Sequence, residues 1–472
     1  MGTQLATIVC VVGILGLFYL NRDDSVRTSK ALWIPSIWFL ILASRPISMW
    51  FGGDAGSPTV SQQLDGSPTE RLLYSVLIAA GLAVLVYRGR RAFSLLTANW
   101  AIVLYFSYCL LSVVWSDYPD VAFKRWIKAT GDIVMVLVIV TDAKPLAALQ
   151  RLFSRIGFVL LPASVLLIKY YPEIGRMYDS WTGDAFNTGV ATNKNSLGLL
   201  AYLIGLGALW SVLRLWRDRE AIYRRRRLIA QCVLLGFAVY LSVNAHSATA
   251  GTSFTLGAFV LIVTGLERVR NRPSAVHTLV ISSIILGVLI QITGANALVL
   301  QIIGRNPDLT GRADYIWPTL IPMNPNFLLG AGFESFWLGP RLQFMWDKFP
   351  HLFLNEAHNG YIEMYLNLGL VGVALIALLL FDGYRRAAAA FRADPNAGNL
   401  MLAYTLTAPL YSMTEAGFRM LAISWSFLLL AIIGATRISE LSAAKTQLDQ
   451  KPSESMAWAP RRSGTLSARV KT

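Results

Sequence analysis

The side chains best suited to chemistry lie where a long polar loop meets an apolar segment. This stretch reads Glu356-Ala357-His358-Asn359-Gly360-Tyr361-Ile362-Glu363. A histidine beside carboxylates at a membrane boundary suits proton transfer near neutral pH, or it can hold a hydroxyl group by hydrogen bonding. A lone histidine is more often structural, so the catalytic interpretation needs support from neighbouring residues.

Further ionisable groups are predicted on the same side of a membrane as His358. Charged groups at the ends of apolar segments are energetically expensive, so each is a candidate for function. The set comprises Lys124, Arg125, Lys128, Arg312, Glu415 and Arg419. Lys124 and Lys128 share a helix face, and with Arg125 they either bind an anion at a helix N-terminus or reach out to lipid phosphates.

Several kinds of site are missing from the sequence. It contains no Gly-x4-Gly-Lys-Ser/Thr loop for ATP, no Asp-x-Asp pair, and no metal-ligand spacing among its four histidines. The three cysteines, Cys10, Cys109 and Cys232, lie in apolar segments, which suits neither a zinc site nor loop disulfides. We therefore expect no metal and no other cofactor, and a substrate that arrives already activated.

Composition and the clustering of apolar residues predict an all-α polytopic membrane protein. Of 472 residues, 55% are hydrophobic and only 15% are charged, against about 25% charged in soluble domains. Runs of membrane-spanning length predict 12 or 13 transmembrane helices. They cover 4–20, 31–50, 70–87, 92–115, 122–140, 147–170, 194–213, 228–245, 249–266, 278–293, 358–381, 399–411 and 418–436.

The basic residues predict the orientation of these helices. If the spans alternate, one set of connections holds 27 Lys and Arg residues and the other set holds 5. Short loops rich in Lys and Arg remain in the cytoplasm, so the first set, which includes the run 224–227, is predicted to be inside. The net charge of +15 then reflects topology and attraction to membrane lipids, and it does not imply nucleic acid.

The chain is predicted to form one membrane domain, 1–436, followed by a basic and disordered cytoplasmic tail, 437–472. The outer connections include one long periplasmic loop, 294–357, whose many aromatic residues argue against a floppy linker. The loop is interpreted either as a re-entrant or interfacial helix, or as a lid that offers ring faces to a sugar or a lipid. The two interpretations are compatible.

Five short motifs resemble those of the O-antigen ligase and polysaccharide polymerase superfamily. In chain order they are Trp115-Ser116-Asp117-Tyr118-Pro119, Asn193-Lys194-Asn195-Ser196-Leu197-Gly198, Gly311-Arg312 with Trp317, Asn326-Phe327-Leu328-Leu329-Gly330-Ala331-Gly332-Phe333, and the His358-Asn359 stretch with Gly369 and Gly372. Their order is most similar to the exopolysaccharide polymerase branch, with a core at about 190–380. One departure is Ala248, which stands where many members carry a cation.

The resemblance implies the fold of lipid-linked-sugar glycosyltransferases and an enzyme of the bacterial inner membrane. This metal-independent, multi-pass glycosyltransferase would work at the periplasmic face, with the tail in the cytoplasm. It would transfer a glycan from undecaprenyl diphosphate to the hydroxyl of an acceptor sugar. Its expected partners are the undecaprenyl-diphosphate-linked oligosaccharide, membrane lipids and a chain-length regulator.

The resemblance also implies roles for particular residues. Arg312 is expected to neutralise the departing diphosphate, while Arg125, Lys128 and Lys194 are further candidates for phosphate contacts. His358 is expected to orient or deprotonate the acceptor hydroxyl. The expected supporting residues are Glu356, Asn359, Glu363 and Glu415.

Two other functions remain open from the sequence. An O-antigen ligase would use the same chemistry on lipid A core or on protein, so the motifs do not separate it from a polymerase. A secondary transporter or flippase of lipid-linked sugars would also be polytopic, but it should show inverted repeats and charges near the middle of the membrane. The charges here lie mainly at the outer boundary.

Overall fold

The computed structural model describes residues 2–51, 67–178, 185–272, 312–350 and 352–450, together with 183, 274, 276–278 and 280. In this part of the chain nearly all regular structure is helical, which confirms the all-α prediction. The longer helices are α1 (Thr3–Leu20), α2 (Trp33–Leu42), α3 (Pro68–Arg88), α4 (Arg90–Ala98), α5 (Trp100–Leu111), α6 (Pro119–Val140), α7 (Pro145–Tyr170), α8 (Lys194–Arg217), α9 (Arg224–Asn244), α10 (Ala248–Gly265), α11 (Gly339–Lys348), α12 (Gly360–Ala393), α13 (Pro395–Tyr411) and α14 (Ile423–Gln450).

Shorter elements connect these helices. Single helical turns cover Ile47–Trp50, Pro172–Gly175, Glu267–Arg270 and Trp317–Leu320, and 3₁₀ turns cover Lys30–Leu32, Ser112–Trp115 and Ile321–Met323. A π-helical turn spans Arg312–Ile316. Strands β1 (Arg176–Tyr178) and β2 (Ala185–Asn187) pair antiparallel, with Arg176 opposite Asn187.

Eight helices among the described residues are long and apolar enough to cross a membrane, namely α1, α3, α7, α8, α9, α10, α12 and α14. Helices α4 and α5, with the 3₁₀ turn that follows α5, form a ninth candidate, broken by an 84° bend. The chain is therefore a multi-pass membrane protein, as predicted.

Three further predicted spans are not among these membrane-spanning candidates, each for an identifiable reason. Segment 122–140 lies in α6, but it carries four charged residues: Lys124, Arg125, Lys128 and Asp132. Segment 399–411 lies in α13, which has only 17 residues. Nearly all of segment 278–293 lies outside the described residues.

Two predicted boundaries were wrong. The span predicted at 31–50 is helical only to Leu42 before a turn, in which the Arg45 guanidinium donates to the carbonyls of Ile174, Gly189 and Ala191. The last span begins at residue 423 rather than 418, and it continues as helix to 450. Residues 437–450 of the predicted disordered tail are therefore helical, and the rest of the predicted tail, 451–472, lies outside the described residues.

Close helix packing builds the core around α8. Gly207 of α8 lies against the ring of Phe153 in α7, and Gly257 of α10 lies against Leu206. Small residues at such contacts let helix backbones approach each other in a membrane. Helix α8 also contacts α13 through a hydrogen bond of 2.6 Å between the hydroxyls of Tyr202 and Thr407.

Helix α12 is broken at Gly369, whose φ of 65° and ψ of −164° are not helical. The loop containing the Asn326–Phe333 motif fits into this break. The amides of Leu370 and Val371 donate to the carbonyls of Phe327 and Leu328 at 2.9 and 3.2 Å. These bonds give partners to two amides at the start of the second half-helix, where the helix itself offers no acceptor. A Cβ on Gly369 would lie 2.1 Å from the Leu328 carbonyl oxygen, so this close approach requires glycine.

Contacts among the described connections distinguish two ends of the bundle. The site end is where α8, α10 and α12 begin and where the loop 412–422 lies, since these segments bond one another through Asn195, Thr249, Arg312 and Glu415. The opposite end, called the basic end, holds the ion pairs Arg227–Asp23 and Arg88–Asp142.

Candidate functional site

Three connecting segments meet at the site end. The π-helical turn supplies Arg312, the residues just before α12 supply Glu356 and His358, and the loop 412–422 supplies Glu415 and Arg419. Asn359 positions the second segment because its side chain caps α12, accepting from the amides of Tyr361 and Ile362. The Asn359 side-chain amide also donates to the Met413 carbonyl at 2.8 Å, which ties this cap to the loop 412–422.

His358 lies between two carboxylates. Its Nδ1 is 2.9 Å from Glu356 Oε1 and 3.3 Å from Glu415 Oε2. The residue has a φ of 49°, an uncommon backbone conformation that the surrounding contacts hold in place. The Nε2 atom makes no hydrogen bond to any described residue, so it is free to face a substrate.

Arg312 shares the Glu415 carboxylate with His358. Arg312 Nη1 donates to the Thr414 carbonyl at 2.7 Å and lies 3.2 Å from Glu415 Oε1. The Asn195 side-chain amide donates to the same oxygen at 2.7 Å. Glu415 is almost fully buried, so these contacts compensate its charge.

A second guanidinium, that of Arg419, joins the remaining carboxylates. It lies 3.3 Å from Glu334, 3.5 Å from Glu356 and 3.8 Å from Glu363, each distance joining a guanidinium nitrogen to a carboxylate oxygen. It also donates to the Asn355 carbonyl at 3.0 Å. Arg419 therefore links the segment before α12 to the loop around Glu334.

Glu363 lies one layer deeper and is fully buried. Its carboxylate accepts from Trp337 Nε1 at 2.8 Å and from the Ala357 amide at 2.8 Å. The side-chain amide of Asn367 donates to it at 3.1 Å. The bond from the Ala357 amide fixes the backbone directly before His358.

The network sets the charge of the residues around His358. Burial lowers the pKa of His358, but Glu356 and Glu415 outweigh burial and raise the pKa to about 9. Burial likewise raises the pKa of Glu356, yet His358 and Arg419 together lower it to about 2. Carboxylates also raise the pKa of Arg419, against the effect of burial. At neutral pH, His358 is thus an imidazolium ion beside a carboxylate.

A polar cavity of about 190 Å³ opens beside the cluster. Its walls include Asn195, Ser196, Glu356, Tyr411 and Glu415. Drug-sized ligands occupy cavities of roughly 300–1,000 Å³, so this space suits one small polar group such as a single sugar ring.

Glu356, His358 and Glu415 could also be considered as metal ligands, since one ligand atom from each lies within 4.8 Å of the others. The donor set does not fit that use well. Glu415 is already paired with Arg312, and Glu356 is close to Arg419. A divalent cation would face two guanidinium groups at short range, which Coulomb repulsion opposes.

The structure brings together some predicted site residues but not others. Arg312, Glu356, His358 and Glu415 form the cluster, and Asn359 and Glu363 support it. Arg125 connects to it indirectly, because its guanidinium donates to the Glu334 carbonyl while Arg419 binds the Glu334 carboxylate.

Two predicted phosphate contacts lie apart from this cluster. Lys194 Nζ lies over the Phe186 ring, 5.7 Å from its centroid, and its neighbour Asn195 enters the site instead. Lys128 makes no ion pair with a described carboxylate. Both assignments remain predictions.

Sequence reasoning did not assign Asn195, Glu334 or Asp132 to the site. Asn195 was visible only as part of a motif. Glu334 follows the Gly330-Ala331-Gly332 turn, so its approach to Arg419 depends on folding of the loop. Asp132, in α6, accepts from the Leu421 amide and Ser426 hydroxyl and so fixes the chain beside Arg419. A buried carboxylate inside a predicted span was the signal that could have found it.

The comparisons with known proteins support the resemblance to the exopolysaccharide branch. No family model matches the chain. The chain is 23% identical over 303 residues to the exopolysaccharide production protein ExoQ of Rhizobium meliloti (strain 1021). The match covers 59% of this chain, and it spans only 62% of the length of that relative.

Proposed function

We propose that this protein is a polysaccharide polymerase of the exopolysaccharide or O-antigen type. It transfers a glycan from undecaprenyl diphosphate to a hydroxyl group of an acceptor sugar at the periplasmic face. One observation carries the proposal: three separate segments of the chain, two of them with motifs of the superfamily, place Arg312, His358, Glu356 and Glu415 in one cluster at the site end. The name of the relative ExoQ, which refers to exopolysaccharide production, points to the same pathway class.

Arg312 compensates the negative charge of the diphosphate leaving group. Within the described residues only its Nη1 is engaged, so Nη2 and Nε remain to contact a diphosphate oxygen. A planar guanidinium binds phosphate through two parallel hydrogen bonds, and in a site of low dielectric it stabilises the negative charge that develops on departure.

His358 holds the acceptor. Two carboxylates at Nδ1 fix the ring and keep it charged, which leaves Nε2–H to donate to a substrate oxygen. Catalysis by such positioning lowers the entropy cost of bringing the hydroxyl to the anomeric carbon.

The transfer step can be written with its atoms balanced. The acceptor oxygen forms a bond to the anomeric carbon of the donor while the bond from that carbon to the diphosphate oxygen breaks. The electron pair leaves with the diphosphate. The proton of the acceptor passes to the released diphosphate, since a terminal phosphate takes up a proton at a pKa of about 6.

The Arg312→Ala variant tests the proposal in membrane vesicles supplied with lipid-linked repeat units. We expect polymer formation to fall by about 10²-fold or more, with normal amounts of protein in the membrane. Arg312→Lys should restore only part of the activity, because a point charge does not repeat a two-bond phosphate contact. The matched control is Lys348→Ala, which removes an exposed positive charge from the same loop.

The product and its metal requirement distinguish the alternatives. Polymer of many repeat units, formed equally well with EDTA, supports the metal-independent polymerase. Transfer of the glycan to lipid A core or protein without chain growth would instead identify a ligase. Unchanged polymer from Arg312→Ala would remove the proposed role of Arg312.

A further inference from the structure

A second polar cavity, of about 240 Å³, lies at the basic end. It is bounded by the end of α1, the first turns of α7, the last turns of α8 and the start of α9. Ser211 of α8 lines it and is sixteen residues from Asn195, which places it about 24 Å along the helix at 1.5 Å per residue. The cavity is therefore separate from the candidate catalytic cluster.

The charges around this cavity do not cancel. Its walls carry Arg22, Asp23, Asp24, Arg151, Arg155 and Arg227. Both aspartates form ion pairs, Asp24 with Arg22 at 2.8 Å and Asp23 with Arg227 at 2.6 Å. Arg151 and Arg155 form no ion pair with any carboxylate that the structure describes.

Arg151 and Arg155 are one turn apart on α7, so they lie on the same helix face. Like charges at this spacing repel each other. Both are partly buried. Arg151 donates to the Thr28 hydroxyl and to the carbonyls of Asp23 and Val26, but these neutral acceptors leave its positive charge without a counterion, which is costly in such a place. Arg155 is nevertheless held in the cavity wall by the Trp33 ring, 3.8 Å from its centroid, and by a hydrogen bond to Ser36.

Uncharged hydrogen-bonding groups complete the cavity wall. Asn21, Ser154 and Gln231 bond one another at 3.0 to 3.1 Å across α1, α7 and α9. In addition, the Nε of Arg227 is buried without a hydrogen-bond partner among the described residues. The wall thus offers an excess of donors and of positive charge.

We propose that this cavity binds a phosphate group. The negative charge of the phosphate would compensate the positive charges of Arg151 and Arg155. Guanidinium groups suit phosphate oxygens because they donate two parallel hydrogen bonds. Basic pockets between transmembrane helices at the cytoplasmic side bind the head groups of anionic lipids. The neighbouring helix α1 exposes Leu5, Ile8, Val12 and Leu15, an apolar surface on which an acyl chain would lie.

Lipid titration of the full-length protein in non-ionic detergent tests this site. The probes are phosphatidylglycerol and phosphatidylcholine with identical acyl chains, with bound lipid counted by native mass spectrometry and unfolding followed by tryptophan fluorescence. We expect phosphatidylglycerol to bind preferentially and to raise the melting temperature. Arg155→Gln should weaken this binding by roughly tenfold or more, and Arg155→Lys should weaken it less.

Two controls make the result decisive. Arg91→Gln removes an exposed arginine of the basic end outside the cavity, and it should bind phosphatidylglycerol as the wild type does. An arm with inorganic phosphate against chloride at equal ionic strength identifies the source: stabilisation that depends on Arg155 there indicates a soluble phosphate rather than a lipid. The proposal is overturned if Arg155→Gln responds to both probes as the wild type does, or if Arg91→Gln loses as much binding.

Discussion

At the scale of single residues, the site is a network in which no charged group acts alone. His358 is charged because two carboxylates face one ring nitrogen, and those carboxylates are tolerated because Arg312 and Arg419 face them from the other side. This arrangement favours His358 as a charged hydrogen-bond donor. A general base works best with a pKa near the operating pH, and the pKa of His358 is raised to about 9.

Substitution of His358 separates the two roles. His358→Gln keeps a hydrogen-bonding side chain of similar size, so it should retain part of the polymer formation if His358 orients the acceptor, while His358→Ala should not. If His358 is the base, the Gln variant should lose about 10²–10⁴-fold, as the Ala variant does, and single repeat units should accumulate on the lipid carrier. Equal polymer from both variants and the wild type would make His358 a structural histidine.

The pH profile of the wild type gives an independent readout of the same prediction. If the imidazolium form is required, the rate should fall as the pH rises through about 9; a required neutral base would instead make it rise there. The folded-state pKa lies above the ordinary value of 6.5. The stability that protonation contributes is therefore complete below about 6.5 and is lost as the pH rises through about 9. His358→Gln should remove that component.

At the scale of elements, the break in α12 positions the site. The half-helix 360–368 carries the residues around His358, and the loop with Phe327 and Leu328 holds it at an angle to the second half. We expect Gly369→Ala to lower the free energy of unfolding by more than about 1 kcal/mol, because alanine is strained at positive φ and its Cβ meets the Leu328 carbonyl. Polymer formation should also fall.

Thermal unfolding in detergent, followed by tryptophan fluorescence, measures this effect. Gly236→Ala is the matched control, since a Cβ at this mid-helix glycine in α9 meets no atom within 4 Å. That variant should be as stable as the wild type, or up to about 1 kcal/mol more stable. If Gly369→Ala behaves like Gly236→Ala, the break is not required.

The elements also show what the sequence could predict. Hydropathy located spans such as α1, α7 and α8 within a few residues, because each of these helices coincides with a long apolar run in the sequence. The break at Gly369 was not predictable in this way, since hydropathy reports how apolar a segment is and not whether a loop is inserted into it. The motifs pointed to Arg312 and His358, and their predicted position on the same side of the membrane made Glu356 and Glu415 candidates. The approach of Arg419 to three carboxylates depends on tertiary contacts that no spacing encodes.

At the scale of the whole molecule, the two ends differ in chemistry. The site end gathers carboxylates and the aromatic loop 312–357, while the basic end gathers arginines and a polar cavity that suits phosphate. This division agrees with the loop charges, which predict that the basic end faces the cytoplasm. The orientation matters for both proposals, because a periplasmic donor and an inner-leaflet lipid require opposite faces.

Cysteine labelling of the full chain tests this orientation. In a background in which Cys10, Cys109 and Cys232 are replaced, Lys348→Cys should react with a membrane-impermeant maleimide in spheroplasts, since position 348 is exposed at the site end. Arg219→Cys, exposed at the basic end, should react only after lysis. The opposite pattern would place the His358 cluster in the cytoplasm, where a glycan already translocated to the periplasm does not reach it. Because the two variants are labelled with the same reagent in the same membranes, differences in expression do not produce such a reversal.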